Sequence, residues 1–318
     1  MDVSIIIVNW NTRELLLAGL RSLPWDSAAM TFEVIVVDNN SMDGSVLAVE
    51  KDFPNVRLIR NRRNTGFAAG NNAGMRIATG RYIALINSDV VVQSGCLEGL
   101  VAFMDEHPGT GIIAPKIVWP DLTLQDSCRY FPGLWNNFCA ATGLARLFPR
   151  QPFFSGEHMK CFAHDQIRRV DYLVGCFLLA RQTMIARIGF MDEGFFMYAE
   201  EIDWCRRAAN DGWGIVFYPD AVAVHHGRSS SSKDPGRFAV EQQYSVLRYW
   251  RKHHHALPFA GWRMIQSIQW GARLARYTVR YITRRNERAT HRMHLLTCWR
   301  ALRIAFMPGV PDRARVSS

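Results

Sequence analysis

Four short, nearly continuous apolar runs in the first ninety residues constrain the fold most strongly. They are VSIIIVNW, FEVIVVDN, VRLIRN and RYIALINSD. Runs of this kind are typical of strands in a sheet that is covered on both faces. Helix-compatible segments separate them, among them TRELLLAGLRSL, which follows a threonine N-cap candidate, and GNNAGMRIATG, which ends in a glycine stop. This order predicts an α/β fold with a mostly parallel, doubly wound sheet.

Each predicted strand ends in polar residues. In doubly wound sheets ligands bind at the carboxyl ends of the strands, so these residues are the first candidates for a site. They are Asn9 and Asn11, Asp38 to Ser41, Asn61 to Asn64, and Asn87 to Asp89.

The segment INSD delivers Asn87 and Asp89 two residues apart, on the same side of an extended chain. Hard oxygen ligands at this spacing suit Mg²⁺ or Mn²⁺ bridging a diphosphate, and a turn-forming Asn-Ser-Asp is the alternative. His225, in VHHGRSS at the end of a later strand, is a second metal-ligand candidate, although a histidine pair is also common at structural or surface positions.

Two further stretches indicate ligand contact less specifically. In VVDNNSMDGS, Asp38 is placed to accept hydrogen bonds from a base or ribose, with Asn39 and Ser41 nearby, or the stretch forms an Asx-rich turn before the next helix. The glycines of NTGFAAGNNAG permit close backbone approach to a ligand, but match neither a P-loop nor GxGxxG.

Three acids lie close together in FFMYAEEIDWCRR. On a helix Glu200 and Asp203 share a face, while Glu201 points about 100° away. Arg206 and Arg207 follow one turn later and can pair with them. The stretch is therefore either a salt-bridged helix start or a catalytic base with its neighbours.

Positive charge is concentrated at the C-terminal end. Residues 251–318 contain 14 Lys and Arg against two acids, a net +12 in a chain of net +10, so the rest carries about −2. Arginines alternate with Trp, Tyr and aliphatic residues at helical spacing, which is typical of helices that lie on an anionic membrane surface. Helices packed on the catalytic domain or in a homodimer interface are the alternative. No nucleic-acid recognition motif accompanies the charge, so we expect no nucleic-acid partner.

The chain opens MDVSIIIVNWN, without the pattern of a signal peptide, and has no apolar run long enough to span a membrane. Its seven cysteines show no CxxC pair or zinc spacing and fit reduced thiols. We therefore expect a peripheral protein on the cytoplasmic face of the cell membrane.

Taken in order, these stretches resemble the inverting nucleotide-sugar glycosyltransferases of family 2, which have the GT-A (Rossmann-like) fold, and among them the bacterial rhamnosyltransferase-like branch. The resemblance covers residues 3 to 232 with a gap near 120 to 165. It rests on VSIIIVNWNTRELL, VIVVDNNSMDGS, NTGFAAGNNAGMRIATGRYIALINSD and YLVGCFLLARQTMIARIGFMDEGFFMYAEEIDWCRRAANDGWGIVFYPDAVAVHHGRSS.

The resemblance implies roles for individual residues. The NSD stretch occupies the family's DxD position, so Asp89 would be the main ligand of Mg²⁺ or Mn²⁺, with Asn87 in place of the first Asp and His225 completing the site. The family's base is commonly the Asp of a Glu-Asp pair. That position holds Glu201 here, which leaves Asp203 as a contender and Glu200 to orient the acceptor hydroxyl. The implied nucleotide-sugar site consists of Asn9, Asn11, Asp38, Asn39, Ser41, Asn64, Gly66, Asn71, Asn87 and Ser88.

The resemblance also implies the domain organisation. A GT-A catalytic domain would occupy residues 1–235, with a nucleotide-sugar half to about 110 and an acceptor half from about 111. Beyond the resemblance, the pattern becomes helical after the Gly/Ser break HHGRSSSSKDPG, which predicts a basic, amphipathic helical extension over residues 236–318.

The implied function is the transfer of a sugar, by branch resemblance L-rhamnose from dTDP-rhamnose, to a hydroxyl of a polyprenyl-diphosphate-linked saccharide in cell-envelope polysaccharide synthesis. The alternatives are a UDP-hexose or galactofuranose donor, and a non-catalytic sugar-nucleotide-binding scaffold, which the departures at Asn87 and Glu201 suggest. A nucleotidyltransferase is disfavoured because VNWNTREL lacks the glycine-rich loop that such an enzyme needs.

Overall fold

A mixed β-sheet forms the centre of the protein. The computed structural model describes residues 1–227, 235–283 and 288–307, and within them the sheet has nine strands. These are β1 (Val3–Asn9), β2 (Phe32–Asp38), β3 (Arg57–Arg60), β4 (Tyr82–Asn87), β5 (Val90–Val92), β6 (Thr110–Val118), β8 (Arg168–Arg169), β10 (Phe177–Arg181) and β11 (Gly214–His225). A separate two-stranded ladder joins β7 (Cys128–Arg129) to β9 (Tyr172–Leu173).

The strand order confirms the predicted α/β fold. Across the sheet the order is β3, β2, β1, β4, β10, β6, β11 and β5, with β8 paired to β11. The first four strands are mutually parallel, and β6 is parallel to β11. Between these two groups β10 runs antiparallel to both neighbours. The sheet is therefore parallel from β3 to β4 and mixed beyond β4.

Helices cover both faces of the sheet, which explains the unbroken apolar runs. In β1, Ile5 and Ile7 pack into one core while Ile6 packs into the other. The first core is covered by α1 (Arg13–Arg21), α2 (Ser45–Asp52) and α4 (Cys96–Glu106), and the second by α3 (Phe67–Met75), α7 (Gln182–Ile188) and α8 (Glu200–Asn210). Burial of one such isoleucine side chain stabilises the fold by about 1.5–3 kcal/mol.

Parallel pairing brings the polar strand ends together. In the β1–β2 register Asn9 lies opposite Asp38, and in the β1–β4 register Val8 lies opposite Asn87. The carboxyl edge of the sheet thus gathers residues that are far apart in sequence, as predicted.

Residues 110 to 170 contain the inner strand β6 and the helices α5 (Leu134–Thr142) and α6 (Leu144–Leu147). The composition of residues 121–138 and 149–160, rich in aromatics, Pro and Gly, predicts loops, which is wrong where α5 begins at Leu134. Strand β6 precedes these stretches and contains Pro115. This proline lies beside the register shift in the β6–β11 pairing, where a strand tolerates a residue that cannot donate a hydrogen bond.

The C-terminal region is helical, as its periodicity predicts. It contains α9 (Pro235–His253), α10 (Ala256–Thr283) and α11 (Arg288–Ala305). Leu247 and Trp250 of α9 are fully buried in the core that contains α8, and α10 packs against α5 and α11. No helix within the described ranges is long and apolar enough to cross a membrane. The division of the chain near residue 235 stays a prediction.

The start of α3 depends on Gly66. This residue has φ 87° and ψ 179°, a conformation that only glycine adopts readily. The backbone N–H of Phe67 donates to the carbonyl oxygen of Phe196 at 2.7 Å, and a Cβ on Gly66 would collide with that same oxygen. Gly66 therefore allows α3 to begin directly against the segment that precedes α8.

We expect Gly66→Ala to lower the free energy of unfolding by about 3 kcal/mol, because strain and a backbone clash add together. The matched control is Gly95→Ala. Gly95 also has positive φ, 75°, but a Cβ there meets nothing within 4 Å, so a loss of about 1 kcal/mol is expected. Urea denaturation of the two variants measures the difference. Equal losses would show that the contact with Phe196 does not constrain the chain.

Candidate active site

A buried hydrogen-bond network connects the ends of β1, β2 and β4. The side-chain amide of Asn9 donates to Asp38 Oδ1 and to Ser41 Oγ, each at 3.0 Å. Thr12 Oγ1 donates to Asn9 Oδ1 at 2.7 Å and lies 2.7 Å from Ser88 Oγ. Thr12, expected to cap α1, makes no side-chain capping bond and instead joins this network.

The network is a scaffold beneath the site surface. Asn9 is fully buried and Asp38 is 3% exposed, while the backbone N–H of Ser41 donates to the second Asp38 oxygen at 2.9 Å. Asn11 lies nearer the surface with φ 55°, and its Oδ1 accepts from the Met42 backbone N–H at 2.7 Å. The interpretation of the Asp38 stretch as a turn is therefore correct for its local structure.

A second set of amides shapes the loop before α3. Asn39 donates to the Gly66 carbonyl oxygen at 3.0 Å, and Asn64 Oδ1 accepts from the Gly66 backbone N–H at 2.9 Å. The amide of Asn71 donates to the Phe67 carbonyl oxygen at 3.0 Å within α3. These predicted site residues thus hold the backbone of the glycine-rich loop.

The end of β11 meets the NSD stretch because β5 and β11 are paired. His225 lies opposite Val90, the residue after Asp89. His225 Nε2 is 3.3 Å from Asp89 Oδ1, and His225 Nδ1 is 2.6 Å from Gln125 Oε1. Burial disfavours the charged imidazole, but hydrogen bonds to Asp89 and Cys176 outweigh it and raise the pKa of His225 to about 10.

The acids of α8 face the same space. Just before the helix, Tyr198 and Ala199 both have positive φ, 71° and 63°, a strained turn that sets the direction of the first helical turn. Glu200 is 4% exposed, and Glu201 packs with its Cβ beside Gly175. Both acids have an oxygen that is buried without a hydrogen-bond partner among the described residues.

One cavity of about 620 Å³ unites the strand-end residues with these acids. Among the predicted site residues, its lining includes Asn87, Ser88, Asp89, Glu200, Glu201 and His225. The deeper network reaches it through the contact of Thr12 with Ser88. The remaining predicted nucleotide-site residues do not line the cavity, although Val8 and Phe67, the neighbours of Asn9 and Gly66, do.

Helix α9 contributes lining residues that sequence reasoning missed. Phe238, Ala239 and Gln242 line the cavity, together with Gly175 and Cys176 before β10. Nothing in the composition of α9 distinguishes these positions. The VGC stretch, in contrast, lies within a segment that carried the family resemblance.

The three acids of α8 have different environments. Burial, reinforced for Glu200 by the neighbouring Glu201, raises the pKa of Glu200 well above its ordinary value. Burial also raises the pKa of Glu201, to about 7. A carboxyl group with this pKa is partly ionised at neutral pH and can accept a proton from a hydroxyl.

Asp203 lies in a different place. It is fully buried and does not line the cavity. Two cations hold it, Arg207 Nε at 2.9 Å and Lys252 Nζ at 2.7 Å, and His253 Nε2 lies 2.7 Å from its Oδ1. Burial opposes ionisation, but the hydrogen bonds to His253 and Lys252 and the charge of Arg207 hold the pKa of Asp203 well below its ordinary value. Of the two arginines considered from sequence, Arg207 pairs with Asp203, while Arg206 lies over the Phe131 ring.

Comparison with known families agrees with this geometry. Residues 4–162 match the model of glycosyl transferase family 2, which covers β1 to β6 and the NSD stretch. The chain belongs to glycosyl transferase family 2. Together with its relatives, this identifies the protein as a glycosyltransferase.

Named relatives are similar over most of this family 2 chain. An N-acetylglucosaminyl-diphospho-decaprenol L-rhamnosyltransferase of Mycobacterium tuberculosis is 28% identical over 240 residues, 72% of this chain and 76% of that protein. A low-salt glycan biosynthesis hexosyltransferase of Haloferax volcanii is 25% identical over 274 residues, 85% of this chain and 80% of that protein.

Solved glycosyltransferase structures share the fold. A Pyrobaculum calidifontis mannosyltransferase, in complex with GDP-Man and Mn²⁺, superposes with a TM-score of 0.53 at 17% identity, covering 99% of this chain and 78% of that chain. Residues 1–349 of TarS from S. aureus give the same TM-score and identity, with 95% and 90% coverage. These likenesses confirm the GT-A-like architecture of this family 2 protein.

We expect Asp203→Asn to lower the free energy of unfolding by about 3 kcal/mol, because it breaks the ion pairs that Arg207 and Lys252 make with a fully buried carboxylate. The lowered pKa makes this stabilisation fully present above the ordinary value of 3.8, and it is lost as pH falls towards the folded-state pKa. The difference from wild type in denaturant melts should therefore be large at pH 7 and shrink in acid.

Glu201→Gln is the matched control and should not destabilise the protein at pH 7, since it removes a carboxylate whose ionisation burial disfavours. Equal losses in the two variants would contradict the structural role of Asp203.

Proposed function

We propose that this family 2 protein is an inverting glycosyltransferase that uses Glu201 as its base. One observation carries the proposal: a buried carboxyl group with a raised pKa shares a single cavity with the strand-end residues Asn87, Ser88 and Asp89. A proton acceptor and a diphosphate-binding edge are the two parts that a single displacement at an anomeric carbon needs.

The reaction proceeds in one step. The acceptor hydroxyl oxygen bonds to the anomeric carbon while the bond from that carbon to the diphosphate oxygen breaks, and the configuration inverts. Glu201 takes the hydroxyl proton. Glu200 lies beside it in the same cavity, and its raised pKa favours the protonated form, which is able to donate a hydrogen bond that orients the acceptor. Asp203 holds α8 in place and takes no part in proton transfer.

We also propose that the enzyme uses a divalent cation, Mg²⁺ or Mn²⁺. The oxygen Asn87 Oδ1 is buried and has no hydrogen-bond partner among the described residues, and Asp89 and His225 lie beside it in the cavity lining. No group of three His, Cys, Asp or Glu in the described ranges is placed to hold a metal ion alone. Mg²⁺ is commonly bound by one or two carboxylates with substrate phosphates and water, so this donor set fits a cation carried with the diphosphate. Such a cation would be held by Asp89, Asn87 and the neutral form of His225, whose proton it would displace, and would offset negative charge on the leaving diphosphate.

The named relatives support the substrate classes. The M. tuberculosis relative is an L-rhamnosyltransferase whose name specifies a diphospho-decaprenol-linked N-acetylglucosamine. We therefore favour dTDP-L-rhamnose as donor and a polyprenyl-diphosphate-linked saccharide of the cell envelope as acceptor, with UDP-hexose or galactofuranose donors as alternatives. All seven cysteines are free, which fits a reducing compartment and a position at the cytoplasmic face of the membrane.

A donor panel tests the function. We expect sugar transfer to a polyprenyl-diphosphate-linked acceptor with dTDP-L-rhamnose and Mg²⁺ or Mn²⁺. Asp89→Ala should lose metal-dependent binding of the nucleoside diphosphate, measured by calorimetry with and without a chelator. Asp26→Ala, an exposed acid on the connection after α1, is the control. Metal-dependent binding without transfer from any donor would instead identify a scaffold protein.

We expect Glu201→Gln to reduce turnover at least about 100-fold while nucleotide binding is retained, because only proton transfer is removed. In the wild type the rate should rise as pH increases through about 7, since the base acts in its ionised form. Glu14→Gln, at an exposed position of α1, is the control for the substitution itself. If Asp203→Asn abolishes transfer in folded protein and Glu201→Gln does not, the base is Asp203.

A further inference from the structure

A second, larger cavity lies away from the active site, between α5–α6 and α10. It is a groove of about 910 Å³, which we call the α5–α10 groove. Its walls combine apolar residues such as Phe138, Met264 and Ile268 with four cations, Arg146, Lys160, Arg273 and Arg276. No acidic residue lies among its lining residues in the described part of the chain.

The apolar side chains around the groove face outward. Met264 and Ile268 are 63% and 66% exposed, and with Leu257, Val279 and Ile282 they form one stripe along α10 at helical spacing. Exposed apolar side chains in a contiguous stripe indicate a surface that meets another apolar phase.

Aromatic residues extend this surface beyond α10. Trp135 stacks on Phe138, with ring centroids 5.6 Å apart, and lies 4.8 Å from the ring of Phe153. All three side chains are exposed, as are Leu147 and Phe148 at the end of α6. Aromatic side chains with one polar edge are favoured where an apolar phase meets water. The surface is therefore built from two regions that are more than a hundred residues apart in sequence.

The cations of the groove favour a partner that carries negative charge. None of Arg146, Lys160, Arg273 and Arg276 forms an ion pair with a carboxylate among the described residues. Arg273 and Arg276 line the groove together with Met264 and Ile268, and their guanidinium groups lie over the rings of Trp270 and Tyr277. Arginines at the edge of an apolar face are typical of helices at an anionic bilayer interface.

We propose that the α5–α10 groove and its rim dock on a bilayer surface that contains anionic phospholipid. Two copies of the protein are disfavoured as partners on this face, because cations would meet cations. A nucleic acid is disfavoured because exposed Met and Ile side chains offer nothing to a phosphate backbone. Docking on a bilayer rests on the proposed function, because the polyprenyl-linked acceptor of that function is held in a bilayer.

The docking surface is joined directly to the catalytic helix. Leu134 of α5 packs against Gly261 of α10, and the preceding Phe131 lies under the guanidinium of Arg206 in α8. The same helix begins with Glu200 and Glu201. Docking therefore fixes the orientation of the active-site cavity relative to the bilayer.

Flotation of the full-length protein with vesicles tests the proposal. Wild type should bind vesicles of phosphatidylcholine with phosphatidylglycerol, and bind vesicles of phosphatidylcholine alone far less. Arg273→Gln with Arg276→Gln should reduce binding to the anionic vesicles about 30-fold, since each cation near such a surface contributes about five-fold in affinity. Met264→Glu with Ile268→Glu should reduce it at least as much.

Leu47→Glu is the matched control. Leu47 is also an exposed apolar residue, but it lies on α2, which covers the core that contains Ile5 and Ile7 and is remote from the groove. This substitution should leave vesicle binding unchanged. Circular dichroism and nucleoside-diphosphate binding show that each variant is folded. The proposal is overturned if wild type does not bind anionic vesicles, if the groove variants bind as wild type does, or if Met264→Glu with Ile268→Glu dissociates a dimer in light scattering. Sugar transfer without vesicle binding would refute docking alone, and vesicle binding without transfer from any donor would refute the proposed function alone.

Discussion

The cluster of ion pairs around the buried carboxylate of Asp203 joins α8 to the C-terminal helix α9. Its carboxylate is held by Arg207 on its own helix and by Lys252 and His253 of α9. Asp192 binds Arg248 and Lys252 of the same helix. These contacts fix α9 beside α8, and α9 then supplies Phe238 and Gln242 to the active-site cavity. A buried charge without its partners is costly, so the cluster specifies how the C-terminal helices attach.

The acids of α8 differ in pKa mainly because of their surroundings, and less because of residue type. Glu201 lines the cavity beside Gly175, and burial raises its pKa. Two residues later, Asp203 is fully buried and paired with Arg207 and Lys252, and its pKa falls. Divergent pKa values of neighbouring carboxyl groups indicate separate roles. On this basis Glu201 is suited to proton transfer, and Asp203 to holding the helix.

Much of the first half of the sheet was predictable because it depends on local patterns. The apolar runs predict β1 to β4, and parallel strands necessarily bring Asn9, Asp38 and Asn87 to one edge. The sequence did not show that Asn9 hydrogen-bonds to Asp38 and to Ser41, so that Asn9 and Asp38 form a buried scaffold instead of lining the cavity. It also missed β6, because Pro115 interrupts the pattern, and the cavity residues of α9, whose spacing is that of any amphipathic helix.

By itself, the sequence determined the α/β fold, the family resemblance, the set of candidate acids and metal ligands, and the basic helical C-terminal region. Each of these follows from periodicity or from motif order along the chain. The tertiary structure alone decided which acid faces the cavity, because that depends on Lys252 and His253, fifty residues beyond Asp203. It also decided that the aromatic residues of α5 lie beside the apolar stripe of α10, since contacts between distant segments leave no periodic signal in either one.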